Sequence, residues 1–267
     1  MSTWSAPKLI GVAADGNSSG RDAVALGSLL ARATSAELLL IAVHEEPLVP
    51  VSLPGGMSWT TLQEQSHAML VVGSAGDADA GRVRLGRNAG ELLGHLECPL
   101  AIAPSGFQQQ AAQRLDRIGV GFDDSPESRA AIDLAVSIAS TADAMLEVRK
   151  AIDDGIAGEV RAEQIVLEQG AVTEGQPTSS FRRGPAVPPG AGLSTNVEVE
   201  VGMPSDVLSE LCEQVDLLVL GSGHSAPPGR VQPGSTGRAL LRLARAPVVL
   251  VPRPDAPPRE QTSLGNG

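Results

Sequence analysis

The chain has 267 residues, of which 42% are apolar and 2% aromatic, with no Tyr. That length gives room for two domains, and cores so poor in rings must be packed with Ala, Val, Leu and Ile, which suits parallel sheets covered by Ala-rich helices. A net charge of −11 excludes unassisted binding to nucleic acid or an anionic membrane, which call for clustered Lys and Arg; a small nucleotide held by backbone N–H groups stays open.

Cys98 and Cys212 are too few and too far apart for a disulfide framework or a structural zinc site, so both read as buried free thiols. No apolar run reaches the roughly 18 residues of a membrane span. The start, MSTWSAPK, does not read as a signal peptide, and the cytoplasm is the expected compartment.

In chain order, residues 8–14 form a first strand, 15–20 a tight polar turn, 21–34 an amphipathic helix and 37–43 a second strand. Strand, helix and strand in so short a span make a βαβ unit with parallel strands and a right-handed crossover. A Pro-bearing loop at 45–57 and a short helix at 60–67 lead to a strand at 68–72 that ends on Gly73. A glycine loop, a helix at 88–96 and a strand at 98–103 complete the half. Residues 105–115 read as a polar linker. The pattern then restarts, with a strand at 117–122, a turn at 123–127, a helix at 128–141 and a strand at 144–151. A helix is expected at 156–167. A Gly- and Pro-dense insertion follows at about 170–195. A strand at 197–201 and a helix at 204–214 precede the stretch LLVLGSGHSAPPGRVQPGSTGRALLRLARAPVVLVP, which reads as strand, glycine loop, helix and strand. Residues 253–267 form a polar tail expected to be disordered.

The two halves match one another. IGVAADGNSSGRDAVALGSLLARA lies over IGVGFDDSPESRAAIDLAVSIAS, MLVVGSAG over LLVLGSGH, and ECPLAIAP over RAPVVLVP. Gly73 and Gly86 are thirteen residues apart, as are Gly221 and Gly234. Only 58 positions separate Asp15 from Gly73, against 98 between Asp123 and Gly221, so the first half lacks a strand and a helix and is expected to be a trimmed sheet of about four strands. The predicted class is α/β, with two doubly wound, Rossmann-like parallel-sheet domains in tandem, at 1–104 and 116–252.

At these residues the chain resembles the universal stress protein family in its tandem form, of the adenine nucleotide alpha hydrolase-like class. The family's nucleotide-binding branch carries a G-x2-G-x9-G-[ST] loop between its fourth strand and last helix. The second half reads Gly221, Ser222, Gly223, His224, then nine residues to Gly234, Ser235 and Thr236; the first reads Gly73, Gly76, Gly86 and Arg87. The resemblance implies an adenine nucleotide, ATP foremost, with Mg2+ as its companion. It places Asp123 beside the adenosine, with Gly221, Ser222, Gly234, Ser235 and Thr236 around the phosphates. Asp15, Gly73, Gly76 and Gly86 hold the matching places in the first half. Gly221 is expected to let the backbone approach the ligand, and Gly234 to permit a left-handed turn. The resemblance also implies that the apolar strands at 100–103 and 248–251 pair edge to edge within the chain as a pseudo-dimer, with a homodimer as a further possibility.

Each residue also has a plainer reading. Asp15 and Asp123 suit caps for the turns that follow them, and Ser235 and Thr236 are ordinary helix-start residues. Arg82, Arg84 and Arg87 either neutralise phosphate or form a solvated face. His224 and Arg87 depart from the family's loop, and they favour the alternative of an interaction protein without nucleotide. Gly16 to Gly20 fits G-x-S-x-G around Ser18, but the repeat sets this turn against DDSPE, which has no such pattern. The four histidines show no metal spacing and no P-loop is present, so no metal-binding or catalytic residue is assigned and binding without turnover is expected.

Overall fold

The computed structural model describes residues 4–42, 62, 65, 67–110, 114–152 and 193–255. The elements are β1 (Leu9–Ala14), α1 (Ser18–Thr34), β2 (Glu37–Ala42), β3 (Ala68–Gly73), α2 (Arg87–Leu92), β4 (Leu100–Ala103) and α3 (Phe107–Gln110). These are followed by β5 (Arg117–Gly121), α4 (Pro126–Ala142), β6 (Met145–Ile152), β7 (Thr195–Val201), α5 (Pro204–Cys212), β8 (Leu217–Gly221), α6 (Ser235–Leu243) and β9 (Val248–Val251). The loop expected at 45–57, most of 60–67, the helix at 156–167, nearly all of the insertion and the tail beyond 255 lie outside the described residues.

The strands form one nine-stranded sheet in the order β2-β1-β3-β4-β9-β8-β5-β6-β7. Within each half every pairing is parallel. The halves join where β4 and β9 run antiparallel, with Leu100 opposite Leu250, Ala101 opposite Val249 and Ile102 opposite Val248. All four residues of each joining strand are buried. Their unbroken apolar run follows from this placement, since helices cover both faces and pairing removes both edges. Among the described residues the second half contributes five strands and the first four, with no counterpart of β7; the buried, helical Leu62 lies over Gly11 of β1 as Leu211 of α5 lies over Gly119 of β5.

Alternation along the strands divides the apolar side chains between two cores. Val249 and Val251 join α1 and α4 on one face, while Val248 and Leu250 join α5 and α6 on the other. In α1 the residues at helical spacing, Ala23, Leu26, Leu29 and Leu30, are all buried.

Several element boundaries differ from the sequence reading, among them the start of α1, at Ser18 rather than 21, and three more bear on packing. α4 begins at Pro126 rather than 128, because Ser125 caps it by accepting from Ser128 N. α2 stops at Leu92, where the chain turns extended at Leu93. The stretch read as a plain linker contains α3, docked on α1 through the buried Asp22, whose carboxylate accepts from Gly106 N at 2.8 Å and Gln108 N at 2.9 Å.

Candidate functional site

Between β5 and β8 the strand order reverses, and a crevice opens at the carboxyl ends of the strands, where such sheets take ligands. One wall is the turn after β5. Asp123 Oδ1 accepts from Ser125 N at 3.1 Å and from Ser125 Oγ at 2.5 Å. Its other oxygen lies 3.8 Å from His224 Nε2, and the side chain is 59% exposed, so Asp123 both orders the turn and faces the crevice. Partial burial raises its pKa, but hydrogen bonds with Ser125 and Ser128 and the nearby His224 outweigh that, and the net shift is downward from 3.8.

The opposite wall is the loop from β8 to α6. Ser222 anchors it. Its N–H donates to Val251 O at 3.0 Å, its Oγ donates to the same oxygen at 2.7 Å, and Gln232 N donates to that Oγ at 3.1 Å. Ser222 lines the crevice, and its hydroxyl is spent inside the loop. Gly221 is also small for a different reason than expected: a Cβ there would stand 2.5 Å from the carbonyl carbon of Glu127, so the residue lets α4 approach β8. Gly234 does not use the left-handed region. It is the extended N-cap of α6, with φ −72° and ψ −171°, and its role is to cross Gly223, where a Cβ on Gly223 would lie 2.6 Å from Gly234 Cα.

The start of α6 is open. Gly234 has no side chain to cap it, and no acidic residue lies in the first turn. Ser235, Thr236 and Gly237 line the crevice, so hydroxyls and first-turn N–H groups converge there. Together the walls enclose a cavity of about 380 Å³ that also touches Arg149 on β6 and Pro204 and Leu208 of α5.

Glu127, Arg253 and Arg149 belong to this region and were missed by the sequence reading. Glu127 is buried, with its carboxylate 3.0 Å from Arg253 Nε and 3.1 Å from His224 Nδ1. Its position after Pro126 marked it as a helix-start acid, but nothing local announces a clamp reaching to 224 and 253. His224 is not among the described residues with positive φ, so it does not strain the loop. Its ring is 70% exposed and lies against Asp123 and Glu127, and the cavity persists beside it. Arg149 is buried in ion pairs with Glu198 and Glu200.

The first half repeats the frame with different contents. Ser74 Oγ donates to Ala103 O at 2.7 Å and accepts from Arg84 N at 3.0 Å, as Ser222 does with Val251 and Gln232. A Cβ on Gly73 would stand 2.6 Å from the carbonyl carbon of Ser19. Asp15, Gly73, Gly76, Gly86 and Arg87 are brought around one cavity of about 640 Å³. Asp15 behaves as a cap, accepting from Asn17 N and Gly20 N at 3.0 Å each. Ser18 follows a strand and opens a helix, yet among the described residues no histidine lines that cavity. Among the described residues no cluster of three or more His, Cys, Asp or Glu is placed to hold a metal, and no helix is long and apolar enough to cross a membrane.

The family model described as "Universal stress protein family" matches residues 114–252. Among solved structures, one of a universal stress protein from Archaeoglobus fulgidus aligns with 92% of this chain and 98% of its own at 12% identity and a TM-score of 0.57. A putative universal stress protein from Pseudomonas aeruginosa aligns over 94% of each chain at 16% identity and a TM-score of 0.60. A family protein from Arabidopsis thaliana, solved with AMP bound, covers 52% of this chain and 92% of its own at 14% identity and a TM-score of 0.32. No curated protein matches the sequence. The first two are likenesses of fold along nearly the whole chain.

Proposed function

The chain belongs to the universal stress protein family, and on that premise we propose that its second half binds an adenine nucleotide, ATP foremost, in the cytoplasm. The adenosine lies beside Asp123, and the phosphates lie against Gly234, Ser235 and Thr236. The observation that carries this reading is the convergence, on one cavity of about 380 Å³, of the exposed Asp123 carboxylate with the uncapped start of α6. Backbone N–H groups and hydroxyls there offer a phosphate what the net charge of the chain does not. Mg2+ enters as the counter-ion of the nucleotide, held by its phosphates rather than by a protein cluster.

The reading is of binding rather than turnover. Glu127 is held by Arg253 and His224, and Asp123 Oδ1 is committed to Ser125, which leaves neither poised to activate water. The second reading, an interaction protein without nucleotide, is favoured by His224, whose ring stands at the cavity against both carboxylates.

Titration calorimetry with ATP and Mg2+ separates the two. Saturable binding to the full chain that Gly234→Val removes supports the nucleotide reading. No saturable heat at millimolar ATP overturns it in favour of the second.

A further inference from the structure

A second recess lies on the seam between the halves, away from both crevices. Its volume is about 580 Å³, and residues from both halves line it. Leu85 and Leu93, partly buried, come from the first half and pack on the core beneath; Leu241, from the second, belongs to that core and is 4% exposed. Arg84 stands on one wall, and Arg238 and Arg242 of α6 on the other.

The walls are firmly placed because each half's loop crosses to the other half. Val83 N donates to Ala244 O and Val231 N to Leu96 O, both at 3.0 Å, and Gly94 N donates to Val231 O at 2.8 Å. Arg82 reaches Leu243 O, and in return Arg230 reaches His95 O at 2.6 Å. The recess is thus a fixed feature of the joined halves.

Its charge is unlike the rest of the chain, whose 31 acids outnumber 20 Lys and Arg. Among the described residues Arg238 and Arg242 have no carboxylate partner; Arg238 Nε donates only to Pro233 O. Arg84 has one partner, Asp77 at 3.0 Å, in a pair exposed enough to exchange readily. Arg238 and Arg242 are four apart on one helix face, where like charges repel, and Arg238 lies near the positive end of the helix dipole, where a cation is disfavoured.

We infer that this recess docks an acidic amphipathic helix of a partner protein, with apolar side chains on Leu85, Leu93 and Leu241 and carboxylates on Arg84, Arg238 and Arg242. An apolar floor with a cationic rim matches a helix laid into a groove. A long polyanion has no use for the leucines and meets the repulsion of the net charge of −11.

The test titrates the full chain into a fluorescein-labelled 15-residue peptide with Leu on one helical face and Glu on the other, read by anisotropy at about 0.15 M salt. Saturable binding is expected, weakened at least tenfold by Arg242→Glu and independently by Arg84→Glu. Arg32→Glu, with the same change in net charge on α1, should leave it within twofold. Replacing the peptide's leucines by serine should also cost at least tenfold. No saturation, equal loss with Arg32→Glu, or equal binding of the serine peptide overturns the inference. So does tighter binding of a labelled 20-nucleotide poly-dT, which would make the arginines a nucleic-acid site.

Discussion

Ser222→Ala is the substitution that separates a loop anchor from a ligand contact. The serine hydroxyl is buried and makes two bonds, to Val251 O at 2.7 Å and from Gln232 N at 3.1 Å. Alanine removes both. Val251 O keeps its bond from the N–H of residue 222, but the Gln232 N–H loses its acceptor inside the loop. An unmet donor costs about 1–3 kcal/mol when buried, and Gln232 is half-buried. At roughly 2–4 °C per kcal/mol for a chain of this size, a loss of about 2 kcal/mol lowers Tm by about 4–8 °C. Thermal unfolding followed by circular dichroism checks this, with Ser235→Ala as the contrast. Ser235 is exposed at the start of α6, so its loss should leave Tm nearly unchanged while weakening ATP roughly three- to tenfold through one phosphate hydrogen bond. If Ser222→Ala melts with the wild type yet loses nucleotide, the hydroxyl faces the ligand and the anchoring argument is wrong.

Other substitutions test the remaining claims. Gly234→Val should abolish saturable ATP binding, because the first added carbon lies 3.1 Å from Gly223 Cα and the crossing must open; the overpacking should cost about 1–3 kcal/mol in urea unfolding, and wild-type affinity would place the nucleotide elsewhere. Asp123 titrates below 3.8 when folded, so its ionised form favours the fold above that value and the contribution fades as pH falls through the lower folded value. Asp123→Asn should flatten the acid limb of a stability–pH profile, and an unchanged limb would deny that the Ser125 bonds favour the anion. Burial pushes the thiols of Cys98 and Cys212 from 9.0 up to about 12, so both stay protonated in the native chain. Ellman's reagent at pH 8 should label neither until urea is added, and their contribution to stability should decline as pH rises from 9 towards 12.

Much of the architecture was legible because it is written in periodicity. Apolar spacing in residues 21–34 marked α1, and unbroken apolar runs at 100–103 and 248–251 marked strands buried on both faces, while their edge-to-edge pairing came from the family resemblance. The shorter span between Asp15 and Gly73 fits the four strands that the described residues of the first half supply. The candidate site was legible in position but less so in role. Asp123, Gly221, Ser222, Gly234, Ser235 and Thr236 meet at one cavity, while the Ser222 hydroxyl also ties the loop and Gly221 also lets the helix behind it approach.

What the sequence by itself determined is the order of elements, the repeat and the residues at the carboxyl ends of β5 and β8, since backbone periodicity and turn chemistry are local and show in neighbouring residues. What only the tertiary structure decided is which groups are already engaged. Glu127 meets His224 and Arg253 across about a hundred residues of chain, and the N–H groups of Val83 and Val231 donate to carbonyls of the opposite half. Such contacts depend on how helices settle on the sheet, so a hydroxyl that local pattern leaves free can be consumed by a carbonyl brought beside it only when the strands align.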